Sequence, residues 1–131
     1  MIELTINVEP TAKGRARVSY QNGLVRTYTP KKTSTAQELI MCELLPYRSL
    51  CFPEHIPVKL TCCFFRTRVK GLKKEQLPFR KPDLDNFLKL LMDSINGLLV
   101  TDDSQITTIC ARKEWSHTGS GYITMRLEED R

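Results

Sequence analysis

Apolar and polar residues alternate from Ile2 to Val8, which sets Ile2, Leu4, Ile6 and Val8 on one side. A period of two is that of a half-buried β-strand. Arg17-Val18-Ser19-Tyr20 and Leu24-Val25-Arg26-Thr27-Tyr28 flank Gln21-Asn22-Gly23. Asn-Gly supplies the positive φ angles of a tight hairpin turn, so these two runs are predicted to pair. Thr35-Ala36-Gln37-Glu38 has capping-box spacing and predicts a helix from there to about Leu45, ended by Pro46. Leu39, Ile40, Met41, Leu44 and Leu45 are assigned to its core side. A proline-rich loop to Pro57 follows, then a long β-prone run from Val58 to Val69 that reads as a central strand. Leu84, Leu88, Leu91, Met92 and Ile95 recur at helical spacing and predict a second helix, from near Asp83 or Asp85 to about Asn96. Asn96-Gly97 suits a left-handed cap. Leu98-Leu99-Val100 reads as a short buried extended segment, Gln105 to Trp115 as a strand, and Tyr122 to Leu127 as the last strand after the turn Gly119-Ser120-Gly121. The tail Glu128-Glu129-Asp130 reads as a frayed, solvated end. The order strand, hairpin, helix, strand, helix, strand, strand predicts an α+β fold: a mixed β-sheet with two main helices packed on it.

At 131 residues the chain suits one domain, spanning 1–131. No apolar run approaches the roughly 18 residues of a transmembrane span. The amino terminus lacks the charged and apolar regions of a signal peptide, which predicts a cytoplasmic protein. Five cysteines are present without a Cys-x-x-Cys pair, and His55 and His117 complete no zinc pattern. Buried free thiols in a reducing compartment are expected.

Net charge is +5, and its placement is more telling than its size. From Pro10 to Gln37 no acid occurs, against Lys13, Arg15, Arg17, Arg26, Lys31 and Lys32. A second basic stretch holds Arg66, Arg68, Lys70, Lys73, Lys74, Arg80 and Lys81, opposed only by Glu75. Such stretches attract phosphate and release its counterions. Neither coincides with a predicted amphipathic helix, which disfavours a membrane surface as partner.

Inside this basic chain two acidic clusters stand apart: Lys81-Pro82-Asp83-Leu84-Asp85-Asn86 and Thr101-Asp102-Asp103-Ser104-Gln105. Residues i and i+2 point to opposite sides of a helix but share one face of an extended segment. Pro82 disfavours helical geometry at Lys81. If the extended path continues through Asp83, the carboxylates of Asp83 and Asp85 converge, and Asp85 becomes the helix N-cap. Converging carboxylates repel unless a cation neutralises them, and oxygen-only ligands select Mg²⁺ or Mn²⁺. Asp103 or Asp102 is the natural third ligand, provided the chain after the helix returns beside its start. Lys89 would stabilise charge building on a phosphate. A plainer reading exists: Asp83 or Asp85 caps a helix, Asp102-Asp103-Ser104 forms a turn, and Lys89 pairs with a neighbour such as Asp93.

Lys81-Pro82-Asp83-Leu84-Asp85-Asn86-Phe87-Leu88-Lys89, then Met92-Asp93-Ser94-Ile95-Asn96-Gly97 and Asp102-Asp103-Ser104-Gln105-Ile106, resemble the RusA family of Holliday junction resolvases. A weaker likeness runs through Pro10 to Arg17 and Tyr28-Thr29-Pro30. The resemblance implies a homodimeric, Mg²⁺- or Mn²⁺-dependent endonuclease that binds four-way DNA junctions and makes paired symmetric nicks. It places the metal-binding aspartates on Asp83, Asp85 and Asp103 and the catalytic lysine on Lys89, with Asp102 as an adjacent acid. Lys13, Arg15, Arg17, Lys31, Lys32, Lys70, Lys73, Lys74, Arg80 and Lys81 become the expected DNA-binding residues. Pro82 departs from the family pattern, which has a basic residue directly before Asp-x-Asp. A non-catalytic branched-DNA-binding module and a nuclease that cuts flaps or forks are the alternatives.

Overall fold

The computed structural model describes residues 1–12, 17–28, 31–68 and 76–131, with backbone alone at 17–21, 26–28 and 32–33. Four strands form the main sheet: β1 (Ile2–Ile6), β4 (Val58–Arg66), β5 (Ile106–Trp115) and β6 (Tyr122–Glu129), in the order β1-β6-β4-β5. The sheet is mixed: β6 runs antiparallel to both β1 and β4, whereas β4 and β5 are parallel. Strands β2 (Arg17–Gln21) and β3 (Leu24–Tyr28) form a separate hairpin. Its turn is the predicted one, with Asn22 and Gly23 at φ 52° and 75°. Two α-helices, α1 (Lys31–Leu44) and α2 (Leu84–Ile95), pack on each other. The predicted α+β architecture is thus the observed one.

Alternation decides the core. Ile2, Leu4 and Ile6 of β1, Val58, Leu60, Cys62 and Phe64 of β4, and Ile123, Met125 and Leu127 of β6 are all buried. Helix α2 lays Phe87, Leu90, Leu91 and Ile95 against this apolar layer, and the rings of Phe64 and Phe87 stand 5.5 Å apart. Ser94 is buried in the same row and satisfies its hydroxyl by donating to the Leu90 carbonyl at 2.7 Å. Leu84, Leu88 and Met92 are only partly buried, so the buried stripe is rotated toward Phe87 and Leu90 from the predicted one.

Other expectations need correction. Helix α1 begins at Lys31, four residues ahead of the capping-box position, and takes Thr35 into its interior. Pro30 precedes it in sequence, and a helix start loses nothing from a residue without an N–H. Ala36, Ile40 and Leu44, spaced by four, face inward, whereas Leu39, Met41 and Leu45 are exposed. Pro46 opens a 3₁₀ turn, Leu45–Leu50, in place of loop. Leu98, Leu99 and Val100 are buried as expected, but they complete a tight turn beginning at Gly97 (φ 76°), with only isolated bridges from Val100 to Asn96 and Phe52. The acidic tail is not frayed: Glu128 and Glu129 lie in β6 opposite Lys59 and Val58. Asp130 accepts hydrogen bonds from the hydroxyls of Thr107 and Thr108, at 2.7 and 2.5 Å. Those two bonds, Thr108 first, hold its carboxyl below the usual range.

All five cysteines are free, but only Cys62 is buried, and Cys42 and Cys110 are exposed. Burial is the main cause that pushes the Cys62 and Cys63 thiols up to about 12. At neutral pH neither supplies thiolate, the reactive form. Cys42 and Cys110 should therefore react promptly with a small thiol reagent, and Cys62 only after unfolding. Following thiol release with and without denaturant checks this; rapid modification of Cys62 in the native state would contradict its burial.

Candidate metal and DNA site at the start of helix α2

Consecutive parallel strands joined by a helix oblige the helix to run back across the sheet. Its first turn therefore lies at the carboxyl ends of β4 and β5. There the side chains of these two strands take hold of the approaching chain. Lys113 donates to the carbonyls of Arg80 and Pro82, both at 3.1 Å. Arg66 donates to the Lys81 carbonyl at 3.3 Å, and its guanidinium lies 5.9 Å from the ring centres of both Phe87 and Trp115. Trp115 Nε1–H donates to the Gln76 carbonyl at 2.6 Å. The Lys81–Pro82 peptide is cis.

Asp83 follows directly. Its backbone is extended (φ −71°, ψ 147°), as the sequence suggests, but Asp83 is itself the N-cap and Asp85 lies inside the first turn. The expectation of Asp85 at the N-cap is thereby corrected: the helical bonds already begin at the Asp83 carbonyl, which accepts from the amides of Asn86 and Phe87 at 3.1 and 3.4 Å. The Asp83 side chain makes no capping hydrogen bond. Both carboxylates are exposed, and among the described residues neither has a side-chain partner. The helix dipole and the free first-turn amides favour negative charge here, by about 0.3–1 kcal/mol for an exposed group. Two unengaged carboxylates next to Arg80 and Lys81 are poorly explained by capping alone.

Lys89 stands one turn beyond Asp85, exposed, with its ammonium 3.2 Å from Asp93. The expected pairing of Lys89 with Asp93 is present. An i,i+4 helix pair of this kind, open to solvent on the lysine side, contributes roughly 0.3–0.5 kcal/mol.

The second acidic cluster is elsewhere. Residues Asp103–Gln105 form a 3₁₀ turn with Asp102 as its N-cap. The Asp102 carboxylate accepts from the Ser104 amide and hydroxyl, and the Gln105 side chain accepts from the Asp102 amide at 2.9 Å. Gln105 also donates to the Pro53 and Ile56 carbonyls, at 2.8 and 3.0 Å. Asp102 is thus engaged as a cap, whereas among the described residues the Asp103 carboxylate has no partner. The Asp103 amide donates to the Asn96 side chain at 3.1 Å, which fixes Asp103 at the carboxyl end of α2. That helix has twelve residues. At roughly 1.5 Å per residue it holds Asp103 on the order of 18 Å along its axis from Asp83. The condition that the chain return beside the start of the helix is not met within one copy. Among the described residues no three acidic, histidine or cysteine side chains gather closely enough to hold a metal ion.

Of the expected DNA-binding residues, Arg80 and Lys81 are exposed beside Asp83, and Arg80 lies over the exposed Phe79 ring at 5.7 Å. Lys31 is exposed at the start of α1. Arg17 and Lys32 are described by backbone only, and Lys13, Arg15, Lys70, Lys73 and Lys74 lie outside the described residues. No helix among the described residues is long and apolar enough to cross a membrane. Sequence reasoning missed Lys113 and Trp115 and counted Arg66 only as phosphate-binding charge. The signal for them is alternation, which puts Lys113 and Trp115 on one face of β5.

Comparison with known proteins gives the family. The family model described as Endodeoxyribonuclease RusA matches residues 7–126. The chain is 32% identical over a 139-residue alignment, covering 95% of each chain, to YqaN, an uncharacterized protein of Bacillus subtilis (strain 168). It is 27% identical over 113 residues, 85% of each chain, to the crossover junction endodeoxyribonuclease rusA of Lactococcus phage r1t. A family match over nearly the whole length, with both acidic clusters inside it, places this chain in the RusA endodeoxyribonuclease family.

Proposed function

We propose that the chain, folded as one domain over residues 1–131, is a homodimeric, metal-dependent endodeoxyribonuclease that resolves four-way DNA junctions by paired symmetric nicks. The observation that carries the reading is the pair Asp83 and Asp85, exposed and unpartnered among the described residues at a helix start in a chain of net charge +5. The phage relative is named for crossover-junction cleavage, which supports the substrate class.

The donor chemistry of Asp83 and Asp85 fits Mg²⁺ or Mn²⁺: two carboxylates that no other side chain among the described residues occupies. A hard divalent cation held there supplies charge neutralisation on the scissile phosphate and an acidified water. Arg80 and Lys81 draw the phosphate backbone toward the carboxylates, and Lys89 exchanges Asp93 for the phosphate as negative charge grows on it. Branch recognition rests on phosphate contacts from the basic stretches, which read shape more than base identity.

Asp103 is too far along α2 to join Asp83 and Asp85 of its own chain. In a two-fold dimer the site would be completed by the partner subunit's Asp103. Two symmetric cuts call for two such sites related by a two-fold axis, which gives the dimer its purpose. A second reading, a non-catalytic branched-DNA binder, draws on the same separation of Asp103 from Asp83.

Incubating the protein with a synthetic four-way junction and a linear duplex of matched sequence, with and without Mg²⁺ or Mn²⁺, tests the proposal. Paired nicks in the junction alone, dependent on the metal, are expected. Tight junction binding without nicks in either metal would favour the non-catalytic module. Preferential cutting of flaps or forks in competition would move the substrate class.

A further inference from the structure

We propose that Lys113 is a positioning residue for the Asp83–Asp85 pair, acting through the backbone of residues 80–82. The inference rests on the nuclease reading above and adds a residue to it. Lys113 lies on β5 opposite Phe64 of β4, and Trp115 opposite Arg66. Partners in register across a parallel pair project to the same face. Phe64 touches Phe87 of α2, so Arg66, Lys113 and Trp115 all stand under the helix start.

What they hold is main chain. Lys113 binds the carbonyls of Arg80 and Pro82, and Arg66 binds that of Lys81. Three successive carbonyls immediately before Asp83 are therefore fixed by two cations from the sheet. Among the described residues neither Lys113 nor Arg66 has a carboxylate partner, although Glu114 adjoins Lys113 in sequence. Lysine suits this role because an ammonium with three donors can bridge carbonyls two residues apart. The Pro82 carbonyl belongs to the peptide that enters Asp83, so its orientation sets the direction in which the Asp83 side chain leaves the backbone. The amide of that peptide belongs to Asp83, and Pro82 itself offers no N–H to anchor the turn by another route. Half-buried and turned into the protein, Lys113 is not placed to meet DNA directly.

The decisive comparison is of the wild type with Lys113→Met and Lys113→Arg. The readouts are Mn²⁺ affinity, amide exchange at Asn86 and Phe87, junction affinity without metal, and nicking rate. Removing a side chain that orients a metal ligand typically lowers metal affinity or activity by about 10–100-fold. Lys113→Met is expected to lose Mn²⁺ affinity and turnover on that scale and to exchange faster at Asn86 and Phe87. Junction affinity should be unchanged, and Lys113→Arg should recover part of the Mn²⁺ affinity. Folding is checked by circular dichroism, and Lys113→Gln is read in the same way should Lys113→Met not fold. Unchanged Mn²⁺ affinity and exchange in a folded variant would overturn the proposal. So would junction affinity that falls in step with turnover, which would make Lys113 a phosphate contact. A wild type that nicks, beside an indifferent Lys113→Met, overturns this proposal alone; one that neither binds Mn²⁺ nor nicks overturns the nuclease reading as well.

Discussion

Asp85→Asn is expected to abolish metal-dependent nicking of four-way junctions while leaving junction binding intact or tighter. The substitution keeps the shape of the side chain and removes one ligand charge. Losing a single group that stabilises charge in a transition state costs about 10²–10³-fold in turnover, or roughly 2.7–4 kcal/mol, and a lost metal ligand should fall at or beyond that range. Binding should move the other way. The carboxylate is exposed, and on the proposed reading it meets a polyanion, so neutralising it removes repulsion in a chain already at +5. Stability should change little, because among the described residues the Asp85 side chain bonds to nothing and the N-cap position belongs to Asp83. Gel-shift affinity, nicking rate and thermal melting, measured on the same preparation, separate the cases. Binding lost together with cleavage, alongside a lowered melting temperature, would identify Asp85 as a structural carboxylate.

Each site is proposed to draw on two chains, and mixing inactive variants tests this. Asp85→Asn and Asp103→Asn should each be inactive alone. After unfolding and refolding together, about half of the dimers formed at random would carry one copy of each. If Asp103 acts across the interface, such a dimer has one intact site and one with both carboxylates lost. Nicking should return, as single nicks without their symmetric partner. If Asp103 acts within its own chain, every site in the mixture lacks one carboxylate and activity stays absent. The two results are far apart in size, because one compares an intact site with a dead one. Sedimentation of the mixture confirms that dimers form; a purely monomeric protein would remove the basis for a shared site.

Much of this arrangement can be read along the chain, because its causes are local. Strand β1 and helix α2 follow from periodicity, and the hairpin follows from Asn22-Gly23. The extended backbone at Asp83 and the Lys89–Asp93 pair depend only on neighbours a few residues away. What sequence reasoning lost was long-range or positional. The start of α1 moved because a capping-box spacing carries no information about whether the helix has already begun. Leu39 and Met41 are as apolar as Ile40, and only the direction of the helix axis exposes them. Asp130 lost its frayed character to Thr107 and Thr108, more than twenty residues away. The same blindness affected the site. A Lys at 113 has no local reason to belong with an Asp at 83; the parallel register of β4 and β5 brings them together. Asp103 or Asp102 is the third ligand only if the chain after the helix returns beside its start, whereas the run of α2 carries the chain to the other end of the helix, where the Asp103 amide bonds to Asn96.

The position of β6 has a consequence for how the molecule comes into being. Ile2 pairs with Leu127, and the same strand meets β4 on its other side. The last of the four strands to leave the ribosome is therefore an interior one, and no earlier strand joins β1 to β4. Until it emerges both strands present open edges rich in β-branched and aromatic residues, the kind of edge that pairs with neighbouring chains. Closing so long a loop is entropically slow. The sheet thus stays incomplete until β6 emerges, and a nascent chain halted before Tyr122 would be more prone to aggregate than one that has gained β6.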